Sequence, residues 1–178
     1  MASDFSPSEC QSLQFELRPP FAGHMNNLSF RRAIPAERTA LEDLQWRASL
    51  MWEDYRDALL ENPDAIDLPP DQITDGRAIV AEMLGEIVGF AVVLPRDDGH
   101  AELDALFVEP KVWRRGVGRG LIEEARAFAS ADGAMSLFVV ANPRAQDFYA
   151  ACGFVLIGEA PTRFGAGLVM RRDQAGAM

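Results

Sequence analysis

From Leu28 to Ile34 polar and apolar positions alternate, the period of a strand with one buried face. Pro35 with Glu37 behind it opens a helix, and Leu41, Leu44, Ala48, Met51, Trp52, Tyr55 and Leu59 then recur at steps of three and four as one amphipathic stripe. Trp52 lies on that stripe and is expected in the core, whereas Trp46 lies off it and is a candidate to line a pocket. Asn62-Pro63 and Pro69-Pro70 interrupt the next stretch, predicting a helix end, a loop and a short second helix around Asp71 to Thr74. Arg77 to Leu84 and Ile87 to Leu94 read as strands joined through Gly85-Glu86, and the turn Asp97-Asp98-Gly99 leads into a third strand, Ala101 to Val108. Helical spacing returns from Arg119 to Ala131. Met135 to Val140 is a short strand, Arg144 to Ala151 a helix stopped by Gly153, and Phe154 to Ile157 and Leu168 to Met170 are final strands. The order β-αα-βββ-α-β-α-ββ is a mixed α/β domain, about seven strands flanked by about four helices, without a repeat or a dividing linker.

Composition agrees with one domain. The chain has 178 residues, 48% hydrophobic and 25% charged, enough for a core that needs no disulfide or structural metal. The domain is placed at residues 25–174. Residues 1–24 lack any helix or strand period and are read as a poorly ordered tail, with Gly23-His24-Met25 a junction and Met25 a natural start; residues 175–178 are a C-terminal tail. Cys10 and Cys152, with only His24 and His100 to help, make neither a disulfide framework nor a zinc-ligand set, so no metal is expected. Met1 to Glu16 has no signal-peptide pattern, and no stretch reaches the roughly 18 apolar residues of a membrane span. The reading is a cytoplasmic protein with reduced thiols.

A net charge of -10, from 27 acids against 17 bases, argues against nucleic acid or an anionic membrane as the main partner. Residues 53–75 carry eight acids and one base: Glu53, Asp54, Asp57, Glu61, Asp64, Asp67, Asp71 and Asp75 against Arg56. Such a stretch either walls a site for a cationic ligand or is a solvated face kept soluble by charge.

The opposite sign is concentrated in Lys111-Val112-Trp113-Arg114-Arg115-Gly116-Val117-Gly118-Arg119-Gly120, between a strand and a helix. Glycines there let amide N–H groups approach a ligand, and the helix N-terminus adds partial positive charge, which makes an anion site. It lacks the Gly-Lys-Ser/Thr ending of a mononucleotide loop. Leu121 stands where a dinucleotide fingerprint needs its third glycine.

Arg115-Gly116-Val117-Gly118-Arg119-Gly120 resembles the Gln/Arg-x-x-Gly-x-Gly/Ala signature of the GNAT superfamily of acyl-CoA-dependent N-acyltransferases. Ala101 to Pro110 is similar to that family's fourth strand, and Asn142 to Phe154 resembles its Asn-x-x-Ala-x-x-Phe-Tyr-x-x-x-Gly-Phe segment. The resemblance implies the GNAT fold and acetyl transfer from acetyl-CoA directly to a primary amine, of a small cationic molecule in the first instance, by a monomer or homodimer. A protein or peptide N-acetyltransferase and a non-catalytic acyl-CoA sensor are the alternatives.

By that resemblance, Leu106, Phe107 and Val108 run along the pantetheine arm, with the backbone of Leu106 and Val108 pairing to its amides as an added strand. Arg114, Arg115, Gly116, Val117, Gly118, Arg119 and Gly120 hold the pyrophosphate, and Asn142 touches the cofactor arm or caps a helix. Tyr149 resembles the general acid that protonates the leaving thiolate. Freeing the lone pair of an amine of pKa about 10.4 at pH 7 costs about 4 to 5 kcal/mol, so a base or a water path is needed. Glu102 and Asp104 share a strand face and are the candidates; Glu102 matches the strand carboxylate that acts as base in histone-type members. Cys152 is read as helix-end packing.

Overall fold

The computed structural model describes residues 27–163 and 165–174, without the side chains of Asp54 and Tyr55. The expectations for the tail 1–24, for Met25 and for residues 175–178 lie outside the described residues. The elements run β1 (Leu28–Arg32), α1 (Arg38–Ser49), α2 (Glu53–Glu61), α3 (Pro70–Thr74), β2 (Ala78–Met83), β3 (Glu86–Pro95), β4 (Ala101–Val108), α4 (Val117–Ala131), β5 (Ser136–Ala141), α5 (Gln146–Ala151), β6 (Val155–Thr162) and β7 (Gly165–Asp173). Together the strands form a seven-stranded sheet in the order β1-β2-β3-β4-β5-β7-β6. All neighbours are antiparallel except β4 and β5.

Strand periodicity places apolar side chains on both faces of the central strands, and each face has its own helical cover. On one face Leu103, Leu137, Val139 and Met170 pack with Leu121, Ile122 and Ala125 of α4 and with Tyr149 of α5. On the other, Val80, Phe90 and Val92 pack with Leu41 and Leu44 of α1 and Ile73 of α3. This is the expected mixed α/β architecture, with five α-helices among the described residues in place of about four.

The extra helix comes from a break in the first stripe. Leu41, Leu44 and Ala48 of α1 are buried, but Met51 is half exposed and Trp52 takes an extended backbone, φ -92° and ψ 103°. Trp52 leaves the axis of α1 to set its ring 5.9 Å from that of Trp113, a contact between distant parts of the chain that local periodicity does not encode. The first hairpin also differs by one residue: Met83 pairs with Glu86, and Leu84 and Gly85 form the turn with φ of 54° and 81°, the sign that primed hairpin turns require. β6 and β7 outrun the predicted strands because the β6–β7 ladder from Val155↔Arg171 to Thr162↔Gly165 holds Gly158, Glu159 and Pro161, which carry no strand signal.

Candidate active site

β4 and β5 touch only at their start. Ala101 pairs with Leu137 and Glu102 with Phe138, and beyond that point the two strands part. The divergence begins at a bulge: Val93 faces Leu103 while Val92 faces Ala105, which leaves Asp104 as the extra residue of β4. A bulge bends its strand and re-aims a side chain. A cavity of about 540 Å³ occupies the gap, lined by Leu103, Asp104, Leu106, Phe107 and Val108 of β4 and by Val139, Val140 and Ala141 of β5.

One end of the cavity meets the N-terminus of α4, at Val117 and Gly118. Gly116 caps that helix with φ 84°, a left-handed conformation that glycine enters without the Cβ clash other residues suffer. The first backbone bond of the helix runs from Gly120 N–H to Gly116 O at 2.9 Å. The amides of Val117, Gly118 and Arg119 precede it and point out of the helix end as donors without an intrahelical partner. Gly118 also keeps the entrance open: a Cβ there would stand 3.1 Å from Phe148 Cζ and 3.7 Å from Val108 Cγ2.

The expected anion-binding residues separate on this geometry. Arg114, Val117 and Gly118 line the cavity, and Arg115 is exposed beside it. Arg119 points away, its Nη2 donating to Ala151 O at the end of α5, 3.3 Å distant. Gly120 serves packing: a Cβ there would overlap the ring of Phe30. Leu106, Phe107 and Val108 all line the gap, but Trp113 Nε1 donates to Val108 O at 2.8 Å, so that carbonyl is already engaged within the chain.

Across the gap, Asn142 lines the cavity while its Oδ1 accepts from Arg144 N at 2.9 Å, so the capping role is present. Tyr149 lines the cavity and is buried, its ring edge-on to Phe148 at 5.1 Å and to Phe154 at 5.5 Å. Burial raises its pKa above the ordinary phenol value, with the nearby Cys152 thiol adding to the shift, so the hydroxyl keeps its proton. Cys152 is buried and its thiol is likewise pushed up by burial, which suits packing and not nucleophilic attack.

The two strand carboxylates have different surroundings. Glu102 precedes the bulge and does not line the cavity; Arg96 Nη1 lies 3.3 Å from its Oε2, and the same guanidinium sits 4.6 Å from the Phe138 ring centre. Asp104 does line the cavity, and Gln72 of α3 donates from Nε2 to its Oδ2 at 3.4 Å. Glu102, the expected base, thus pairs with β5 and with Arg96 and is not among the residues that line the gap.

The α1–α2 side of the cavity is walled by Gln45, Ala48 and Ser49 of α1, by Trp52, by Leu59 of α2 and by Ala65 and Ile66. Trp52 is therefore a cavity wall, not core, and Trp46 is absent from the lining. None of the described acidic side chains of residues 53–75 lines the cavity. Asp67 pairs with Arg38 at 2.7 Å and Asp64 with Arg163 at 3.3 Å, both outward of it.

The family described as "Acetyltransferase (GNAT) family" matches residues 39–154, which span β4, the glycine loop and α5. The chain belongs to this family. Uncharacterised N-acetyltransferases of Mycobacterium bovis and Mycobacterium tuberculosis are each 34% identical over 101 residues, 54% of this chain and 65% of the relative, so the match spans just under two thirds of their length. Among solved structures, a GCN5-related N-acetyltransferase of Rhodopseudomonas palustris superposes with a TM-score of 0.70 at 23% identity, covering 82% of this chain and 95% of that one. The PaiA N-acetyltransferase of Thermoplasma acidophilum, solved with coenzyme A, gives 0.68 at 16% identity, covering 83% and 99%. An aminoglycoside 6'-N-acetyltransferase, also with coenzyme A, gives 0.60 at 17% identity, covering 82% and 96%. These likenesses establish the GNAT fold. Among the described residues no helix is long and apolar enough to cross a membrane.

Three residues of this GNAT site were not legible in its motifs. Gln72 reaches the bulge from α3, where only tertiary packing brings it. Trp52 and Trp113 meet across the cavity wall, although their spacing in sequence pairs neither with the other. If the two glycines of the family signature are set at Gly116 and Gly118, its Gln/Arg position falls on Trp113, and that departure was the available signal.

Proposed function

We propose that this GNAT protein transfers the acetyl group of acetyl-CoA directly to a primary amine. The observation that carries the reading is one cavity in the β4–β5 gap whose lining joins the end of α4, at Val117 and Gly118, with Asp104 and Tyr149. An acyl-CoA fits the α4 end by chemistry. The helix-terminal amides of Val117, Gly118 and Arg119, with Arg114 beside them, suit a pyrophosphate. The edge of β4 that faces the gap, with the Val108 carbonyl already held by Trp113, leaves the backbone of Leu106 to a pantetheine amide, which adds as a short strand.

At the reacting centre, Asp104 takes the proton of the ammonium directly or through a water, leaving the nitrogen lone pair free to attack the thioester carbonyl. A bond forms between nitrogen and carbonyl carbon, and the carbon–sulfur bond breaks. Tyr149, neutral at physiological pH, gives its proton to the departing thiolate and is restored by the second proton that the nitrogen sheds as the amide forms. The products are the N-acetyl amide and free CoA, with one proton released.

Continuous thiol release from acetyl-CoA, screened over classes of primary amine, tests this. Amine-dependent release with an N-acetyl product by mass is the expected result. Firm stabilisation by acetyl-CoA with silence on every amine would replace transfer by a binding role.

A further inference from the structure

We propose that the acceptor is a small monoamine with an apolar body, aromatic or branched aliphatic, and not a polycation. The inference rests on the acetyl-transfer reading and adds the class of acceptor. The α1–α2 side of the cavity is walled by Ala48, Trp52, Leu59, Ala65 and Ile66 with the uncharged Gln45 and Ser49 among them, and the single carboxylate among the described lining residues is Asp104. Both acids nearest this wall in the chain are turned outward onto arginines, Asp64 onto Arg163 and Asp67 onto Arg38. The surplus of acids between residues 53 and 75 therefore does not reach the cavity among the described side chains.

This composition decides between acceptor classes. One ammonium finds one carboxylate, at the position from which the same carboxylate removes the proton. Every further ammonium of a polyamine or aminoglycoside would be taken from water against a largely apolar wall that offers it no second carboxylate, and that desolvation is unfavourable. An apolar body gains from the same wall by leaving water. The cavity of about 540 Å³ also houses the donor arm, which leaves room for a compact acceptor.

The test uses acetyl-CoA with 2-phenylethylamine, isoamylamine, methylamine, spermidine and an aminoglycoside, each followed by thiol release and product mass. Phenylethylamine and isoamylamine should exceed methylamine in kcat/KM by about tenfold to a hundredfold, since each apolar group seated in a pocket contributes on that order. Ile66→Asp, a substitution on a half-exposed wall position, should reverse the order toward spermidine. Trp52→Ala should raise KM for phenylethylamine by more than it raises KM for methylamine, a split that a loss of fold would not produce.

Preference for spermidine or the aminoglycoside by the unaltered protein would overturn the inference and leave acetyl transfer standing. So would preference for octanoyl-CoA over acetyl-CoA, which would assign the apolar wall to the donor. If no amine is acetylated, calorimetry with CoA present decides: phenylethylamine binding without spermidine binding supports the acceptor class, and the reverse overturns it.

Discussion

Gln72 of α3 donates to Asp104 Oδ2 at 3.4 Å, holding from outside the sheet a carboxylate that the bulge of β4 turns into the cavity. Glu102, two residues earlier, is held by Arg96 instead. The pair gives a clean discrimination of the base. Asp104→Asn should lower kcat/KM by about 10² to 10⁴, the usual contribution of a positioned general base, with the loss greatest on the acid side of the pH–rate profile. Glu102→Gln should change kcat/KM by less than about threefold, and Gln72→Ala should fall between them by loosening Asp104 without removing it. Steady-state kinetics from pH 6 to 9 checks the order, and equal losses at Asp104 and Glu102 would return the base to the notion that both act.

Tyr149→Phe should reduce kcat by about tenfold to a hundredfold while acetyl-CoA affinity, read by calorimetry, stays unchanged, because the ring contacts with Phe148 and Phe154 survive and only the acid is lost. The same substitution has a stability signature. Burial raises the phenol above its ordinary value of about 10, so the folded chain keeps a proton that the unfolded chain releases. The contribution is complete below about pH 10 and is lost as pH rises through and beyond it. Thermal unfolding from pH 8 to 11 should therefore fall less steeply for Tyr149→Phe than for the unaltered chain.

At the other end of the pH range, Arg31 bonds Glu37 at 2.7 Å and Glu82 at 2.6 Å, tying β1 to β2 and to the turn that opens α1. The Arg31 hydrogen bond holds the Glu37 carboxyl below its ordinary value. Its stabilisation is present above the unfolded value of about 4.3 and is lost as pH falls through the folded one. With Arg31 partly exposed, solvent screening limits the effect to about 1 kcal/mol. Denaturant titrations at pH 7 and pH 3 should show Glu37→Gln losing its deficit at the lower pH.

The fold was legible because strand and helix periods in this chain coincide with burial: Leu103 and Leu121 sit where alternation and helical spacing put them, and both are buried. The glycine loop was legible because Gly116 needs a left-handed φ that few other residues adopt at low cost. What escaped was set by contacts between distant segments. A period of two put Glu102 and Asp104 on one face, but the bulge between Val92 and Val93 separates their fates, and nothing local marks a bulge without a glycine. The acidic stretch left two readings open for a related reason. Charge counted along a chain does not say which way side chains face, and Arg38 and Arg163 draw Asp67 and Asp64 outward.

Gly118 and Gly120, two residues apart on the same turn of α4, should fail in opposite ways. At Gly118 the missing Cβ keeps space open beside Phe148 and Val108 at the mouth of the cavity, so Gly118→Glu should abolish the thermal stabilisation given by acetyl-CoA while leaving the melting temperature of the free protein within a few degrees. The added carboxylate would also face the anion that the helix terminus is built to hold. At Gly120 the missing Cβ makes room for the ring of Phe30, which ties β1 to α4. Gly120→Ala should therefore lower stability by about 1 to 3 kcal/mol through overpacking, with acetyl-CoA still stabilising what remains folded. Gly120→Ala combined with Phe30→Leu should recover much of that loss, since the two changes share one contact. Thermal-shift titrations of all three proteins separate the roles, and loss of the acetyl-CoA shift in Gly120→Ala would assign both glycines to the cofactor.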